Sequence, residues 1–563
     1  MKIVFRRLGG IIMRKKNMKL RKKTLVYGLV ATMMLGLCGC GEKEEKSSDV
    51  KYDVTEAAYQ EYEYEEEAMD GYVCQDATCA DNAIAETGDV ELYEDVDYNT
   101  NEYDDLAENS WMSTQTSPFS TFGADVDTAS YTNIRYNIMN GYDVDPASVR
   151  IEEMINYFHY DYAEPEGDDK FAVYIEYADC PWNEDTKLAL ISLNTEAVDF
   201  SEAPDSNIVF LIDTSGSMYY DNKLPLVQQS LCLLAENLTE KDRISIVTYA
   251  GSDTVVLEGV SGDNYYEITK AIEELEAGGS TNGSAGIETA YDIAEKYYIE
   301  GGNNRVILAT DGDLNVGVTS EGALEKLITK KKETGVYLSV LGFGDGNYKD
   351  NKLETLADKG NGNYAYIDTL FEAKRALVDD MGANLITVAK DVKLQVEFNP
   401  AQIKGYRLIG YENRVMAAED FADDTKDGGE MGAGHTVTAI YEIVPVDSAM
   451  EIPEVDSKYD TTEGNYTGEY SDELFTVNVR YKEPEEDSSK LNSYVCTTDD
   501  YMEKGSDNLR WAASVAAFGM YLKDSEYMGS TDVEMILELA TSVDGYNDDP
   551  YKVEFIDMVK YYE

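Results

Sequence analysis

Between Asn207 and Leu385, short and almost uninterrupted apolar runs alternate with amphipathic helical patterns, and no other feature restricts the possible folds so tightly. The runs read "NIVFLID", "RISIVTYAG", "TVVLEGV", "RVILATDG", "YLSVLGFG" and "NYAYI". Patterns such as "YYEITKAIEELEA" and "SAGIETAYDIAEKYY" separate them, except at one hairpin. A strand that is apolar on both faces must be covered on both faces. The spacing therefore predicts an α/β fold over 205–385, a doubly wound, mostly parallel sheet between two layers of helices. Its crossovers are right-handed.

The flanks follow other periods. After Leu385 come longer alternating strands, "DVKLQVEFNP", "YRLIGYENRV", "HTVTAIYEIVPV" and "ELFTVNVRYKE", which predict an antiparallel sheet or sandwich over 386–485. A helical C-terminal region over 486–563 follows, carried by "NLRWAASVAAFGMYL", "DVEMILELATSV" and "YKVEFIDMVKYY". Ahead of the α/β domain, an extension over 113–204 holds Ile151, Met154, Ile155 and Phe158 at helical spacing and the strand-like runs "KFAVYIEYADCPWN" and "KLALISLNTEAV". Alone, those two strands would be orphan edges. They are expected to pair with the strands after Leu385, making the α/β domain an insertion in a β-rich one.

The first 39 residues read as an export signal, with basic clusters followed by an apolar stretch from Leu25 to Leu37. That stretch is shorter than the ~20 residues of a spanning helix. Leu37, Cys38, Gly39 and Cys40 resemble the lipobox of bacterial lipoproteins, which makes Cys40 the lipidated residue and the chain exported, lipid-anchored to the cell membrane and extracytoplasmic. Internal methionines at Met13 and Met18 leave the translation start open. Residues 40–112, crowded with Glu, Asp and Tyr, are expected to form a disordered acidic tether with a reach on the order of 45 Å. For Cys74 and Cys79 within it, a disulfide and two idle thiols are equally open. The 110 acidic residues against 47 basic ones give a net charge of -63, which excludes nucleic acid as a partner.

In an open α/β sheet, ligands collect at the carboxyl ends of the strands. Three segments there carry oxygen side chains: "DTSGS" from Asp213 to Ser217, "GGSTNGSAG" with Thr281, and "ATDGD" with Asp311. The hydroxyls of Ser215, Ser217 and Thr281 and the carboxylates of Asp213 and Asp311 are hard ligands suited to Mg²⁺ or Mn²⁺. Neutral hydroxyls leave the ion part of its charge, so it welcomes a carboxylate from outside. Taken singly, Ser217 and Thr281 also suit helix caps. Asp313 suits a turn, and Asp125 with Asp127 suit either a second cation site or a cap.

The three-loop pattern resembles the metal-ion-dependent adhesion site of von Willebrand factor type A domains. The resemblance implies that Ser215, Ser217 and, with ligand bound, Thr281 touch the metal directly, while Asp213 and Asp311 act through water. It extends from about Ser117 to the C-terminus: "STFGADVDTASYTNIRYNIMNG", "RIEEMINYFHYDY", "CPWN" and "VKLQVEFNPAQIKGYRLIGYENR" are similar to the flanks of a bacterial group of type A domain lipoproteins with an N-terminal extension and a C-terminal domain of unknown function.

Catalysis finds little support. His159 and His435 are the only histidines and lie outside the α/β domain, which excludes HExxH zinc chemistry and a Ser-His-Asp triad at its strand ends. There is no Gly-Lys dipeptide and hence no Walker A loop. Two functions remain: a tethered binding protein that grips an acidic residue of a protein partner through its metal, or an envelope scaffold in which the metal is structural.

Overall fold

The computed structural model describes residues 103–563 except 105, 125–126, 168, 198–202, 280–282, 313–320, 346–348, 381–385, 427, 454–469, 471, 485 and 487. The export signal, Cys40, Cys74 and Cys79 lie outside the described residues, as do Asp125, Thr281 and Asp313.

The α/β domain has the expected sheet. In spatial order its strands are Tyr364–Ile367, Tyr337–Phe343, Asn303–Thr310, Ser206–Asp213, Arg243–Tyr249 and Asp253–Ser261. All neighbours run parallel except the last, which closes the hairpin. All of Ser206–Asp213 is buried because its two faces meet two different helical layers. Ile208, Phe210 and Ile212 pack with Leu224, Val227 and Leu231 of helix Leu224–Ala235, whereas Val209 and Leu211 pack with Ile287 and Ala290 of helix Gly283–Lys296. Burial on both sides accounts for the absence of polar alternation.

The insertion is also as expected. Strand Lys187–Asn194 pairs antiparallel with Thr436–Pro445, and Phe119–Gly123 with Thr387–Phe398, so each sheet of the sandwich draws strands from both sides of the α/β domain. Phe122, Ile191, Leu394, Val396, Tyr441 and Val477 fill the space between the sheets. On the outer face of one sheet, Leu188, Leu190 and Ile440 meet helices Ala129–Asn140, Ile151–Asn156, Asp507–Lys523, Val533–Thr541 and Pro550–Lys560 through Ile138, Met154, Trp511, Ile536 and Phe555.

Two expected boundaries shift. The end of the segment assigned to the tether is folded: Tyr103 Oη donates to Asn133 Oδ1 at 3.1 Å, Asn109 Nδ2 donates to the Gly410 carbonyl at 2.7 Å, and Met112–Ser113 pairs with Ile403–Ile409. Side-chain hydrogen bonds and a two-residue bridge hold it, and neither leaves a periodic trace. The region assigned as helical opens with strand Ser489–Thr497, which pairs along its length with Glu473–Lys482. At this sheet edge the apolar Leu491 and Val495 are exposed and Cys496 alone of the strand is buried, so no alternating apolar face marks it as a strand.

Candidate metal centre

The strand order reverses between Ser206–Asp213 and Asn303–Thr310, where a crevice opens at the carboxyl ends. Asp213 ends the first strand and Asp311 follows the second. Both are buried. The Ser215 amide donates to Asp213 Oδ1 at 2.8 Å, the Thr310 hydroxyl donates to Asp213 Oδ2 at 3.2 Å, and the Ser215 and Ser217 hydroxyls stand 3.0 Å apart. Four of the five residues singled out from sequence thus meet in one place. The fifth, Thr281, lies outside the described residues. Its loop is nonetheless tied to the first: the Gly278 amide donates to the Thr214 carbonyl at 2.8 Å, and the Gly216 amide to the Gly279 carbonyl at 3.2 Å. Gly279 sits at φ +88°, a conformation that favours glycine.

The capping role for Ser217 does not hold. Ser217 lies in a short 3₁₀ turn, Gly216–Tyr219, and the helix beyond begins at Leu224 with Lys223 in the cap position. Asp127 is likewise no cation ligand. Its Oδ1 accepts the Tyr364 amide at 2.9 Å, and its Oδ2 accepts Arg414 Nη2 at 3.3 Å. Cys232 is a helix residue packed at the edge of the α/β core, and burial pushes its thiol up to about 11.

One residue of the centre escaped the sequence reading. Lys223 Nζ reaches Asp311 Oδ2 at 2.9 Å, with both side chains nearly fully buried. Gly344 makes room for it: at φ +77°, a Cβ there would lie 2.4 Å from Lys223 Cε. The sequence signal was a lone lysine entering an apolar helix, "NKLPLV". Among the described residues, no cationic side chain pairs with Asp213 in the same way. Burial, with Asp311 adding repulsion, pushes its carboxyl up to about 6 against the opposing bonds from Ser215. On the rim, Tyr219 and Tyr220 are 76% and 66% exposed.

The donor set decides which ion fits. Among the described residues, no group of three or more His, Cys, Asp or Glu side chains could hold a metal. Two carboxylates with adjacent hydroxyls fit a hard cation that keeps several waters, as Mg²⁺ and Mn²⁺ do.

Comparison with known proteins agrees with the architecture. The family model "von Willebrand factor" matches residues 97–190, "von Willebrand factor type A domain" matches 207–380, and "Uncharacterized protein YfbK, C-terminal" matches 383–563. "Uncharacterized protein YfbK" of Escherichia coli (strain K12) is 40% identical over 468 residues, covering 82% of this chain and 81% of that protein. "Inter-alpha-trypsin inhibitor heavy chain H4" of Bos taurus is 29% identical over 182 residues, 30% of this chain and 20% of that one. Among solved structures, "von Willebrand factor type A from Catenulispora acidiphila" aligns with a TM-score of 0.40 at 16% identity, over 72% of this chain and 91% of that chain. With the identity to the Escherichia coli protein running through all three matched segments, the chain belongs to the YfbK family of von Willebrand factor type A domain proteins.

Proposed function

We propose that the chain is an exported binding protein, lipid-anchored at Cys40, that holds an acidic residue of a protein partner at a metal-ion-dependent adhesion site. The observation that carries this reading is the convergence of Asp213, Ser215, Ser217 and Asp311 at the strand-order reversal, with hydroxyls making up half of that set. Ser215, Ser217 and Thr281 would hold Mg²⁺ or Mn²⁺ directly, with Asp213 and Asp311 acting through water. The ion would supply a Lewis-acidic contact for the partner's carboxylate. Tyr219 and Tyr220 stand where they would pack against the partner around that contact, and aromatic side chains of this kind are enriched at binding hot spots. The net charge of -63 repels an acidic partner only at long range, because screening at physiological salt acts over about 8 Å. Coordination acts at contact and prevails. With both histidines outside the α/β domain, the reading is of a binder rather than an enzyme.

A scaffold reading draws on a different observation. Lys223 already neutralises Asp311, so the strand ends are held together by an internal ion pair. In that case the sandwich makes the contacts. Pull-down from envelope extracts separates the two. Adhesion at the metal requires that partner recovery collapse on chelation and in Asp213→Ala, whereas recovery unchanged by both supports the scaffold.

A further inference from the structure

We propose a second, anion-binding site in the polar cavity between the α/β domain and the sandwich, with Arg305 at its base and a small phosphorylated compound as its ligand. Arg305 and Asp311 belong to opposite ends of one strand, Asn303–Thr310, so this cavity is separate from the metal centre.

Arg305 is the starting point. It is 3% exposed, its Nε has no hydrogen-bond partner, and Nη1 donates to the Ser339 hydroxyl at 2.6 Å. Tyr337 lies against it, with its ring centroid 5.8 Å from the guanidinium carbon. Among the described residues, Arg305 forms no ion pair with a carboxylate. The other buried arginines are compensated: Arg135 by Glu372 at 3.1 Å, Arg375 by Glu372 at 2.9 Å, Arg407 by Glu442 at 3.0 Å, and Arg150 by the field of Glu152 and Glu153. In a chain this acidic, a carboxylate for Arg305 would have been the easy solution. Burial instead pushes it down to about 10, and Tyr337 and Glu430 oppose this only in part. A buried, unpaired guanidinium is costly, and its planar fork matches phosphate oxygens in two-point contact.

The cavity around it has the matching size and charge. It encloses about 470 Å³, and its cationic lining is Arg305, Lys332, Lys359 and Arg414 against the carboxylates Asp358 and Glu430. Asp358 is engaged by Arg414 at 2.8 Å, and Glu430 accepts from Asn361 Nδ2 at 2.5 Å. Arg414 also pairs with Asp127 at 3.3 Å and Glu354 at 3.2 Å, so its charge is taken up within the protein, and Arg305, Lys332 and Lys359 against Glu430 form the positive face that a phosphate monoester complements. The volume exceeds that of phosphate alone and leaves room for an organic group.

Calorimetry tests this on the full chain in EDTA, which takes the metal centre out of the measurement and keeps the two sites' outcomes separate. The probes are inorganic phosphate, glycerol 3-phosphate and succinate. The expected result is saturable binding of both phosphate compounds, one per chain, tighter than succinate. Arg305→Met should weaken binding at least about tenfold. The exposed Lys359→Gln should weaken it about threefold, and Ser217→Ala should leave it unchanged. Absence of saturable heat from wild-type protein with either phosphate compound overturns the site, and succinate binding tighter than phosphate overturns the ligand class. Wild-type affinity in a folded Arg305→Met overturns it too. If that variant does not fold, unchanged affinity in Lys359→Gln does so.

Discussion

At the scale of single residues, the proposed metal centre would set one lysine against a divalent ion in a contest for buried carboxylates. Lys223 holds Asp311, while Asp213 has hydrogen bonds but, among the described residues, no cation. Replacing Lys223 by Met takes this ion-pair partner from the buried Asp311, which in metal-free protein should cost about 3 kcal/mol. The same change removes a competing positive charge, so the rise in melting temperature on adding MgCl₂ should be larger than in wild type. Scanning fluorimetry with and without MgCl₂ reads both effects, and an equal or smaller magnesium response would contradict the contest. The pH dependence follows from Asp213, whose carboxyl is pushed up from 3.8 to about 6. Because the folded form binds this proton more tightly than the unfolded chain does, the stabilisation is fully present below pH 3.8 and is lost as pH rises through about 6. Its upper limit is about 3 kcal/mol. A bound cation relieves the charged carboxylate, so stabilisation by magnesium should grow between pH 5 and pH 7. Fluorimetry across that range in Asp213→Asn should show a much flatter response.

At the scale of elements, legibility in the sequence tracks how many faces of a segment are buried. Ser206–Asp213 and Asn303–Thr310 are covered on both sides, so composition alone marked them and located Asp213 and Asp311 at their ends. Ser489–Thr497 lies at a sheet edge and fell within the region assigned as helical. Lys223 was missed because its partner lies 88 residues away and a pairing of that kind leaves no local pattern. Capping is a further device legible only after folding. Ser506 Oγ accepts the Leu509 amide at 3.2 Å, opening helix Asp507–Lys523, and donates to Glu176 Oε2 at 2.6 Å across from strand Ala172–Asp179. Ser506→Ala removes a cap and a partner of a buried carboxylate together, so urea denaturation should show a loss of about 2 kcal/mol. A loss within a few tenths of a kcal/mol would mean that the cap contributes nothing here.

At the scale of the whole molecule, the inserted α/β domain must be fastened to the layers around it, and one arginine does much of this. Arg135, on helix Ala129–Asn140, ion-pairs with Asp368 and with Glu372 at 3.1 Å near the end of the α/β domain, and with Glu554 at 3.0 Å on helix Pro550–Lys560. Tyr157 stacks on Tyr131 beside it, with ring centroids 3.9 Å apart, and accepts from Arg135 Nη1 at 2.8 Å. Arg135→Met takes the cation from buried Asp368 and from part-exposed Glu554, while Glu372 keeps Arg375, and should cost about 3 kcal/mol. It should also split a cooperative calorimetric transition into two as the α/β domain uncouples, and a single transition at unchanged temperature would contradict that role. Such a frame supports the strand-order reversal where the proposed metal centre would lie. The most direct measurement is calorimetric titration of metal-free protein with MgCl₂ at pH 7. One magnesium per chain, lost in Asp213→Ala and in Ser217→Ala, is the result expected of a hydroxyl-lined cation centre, and no heat of binding from folded wild-type protein with either magnesium or manganese would contradict it.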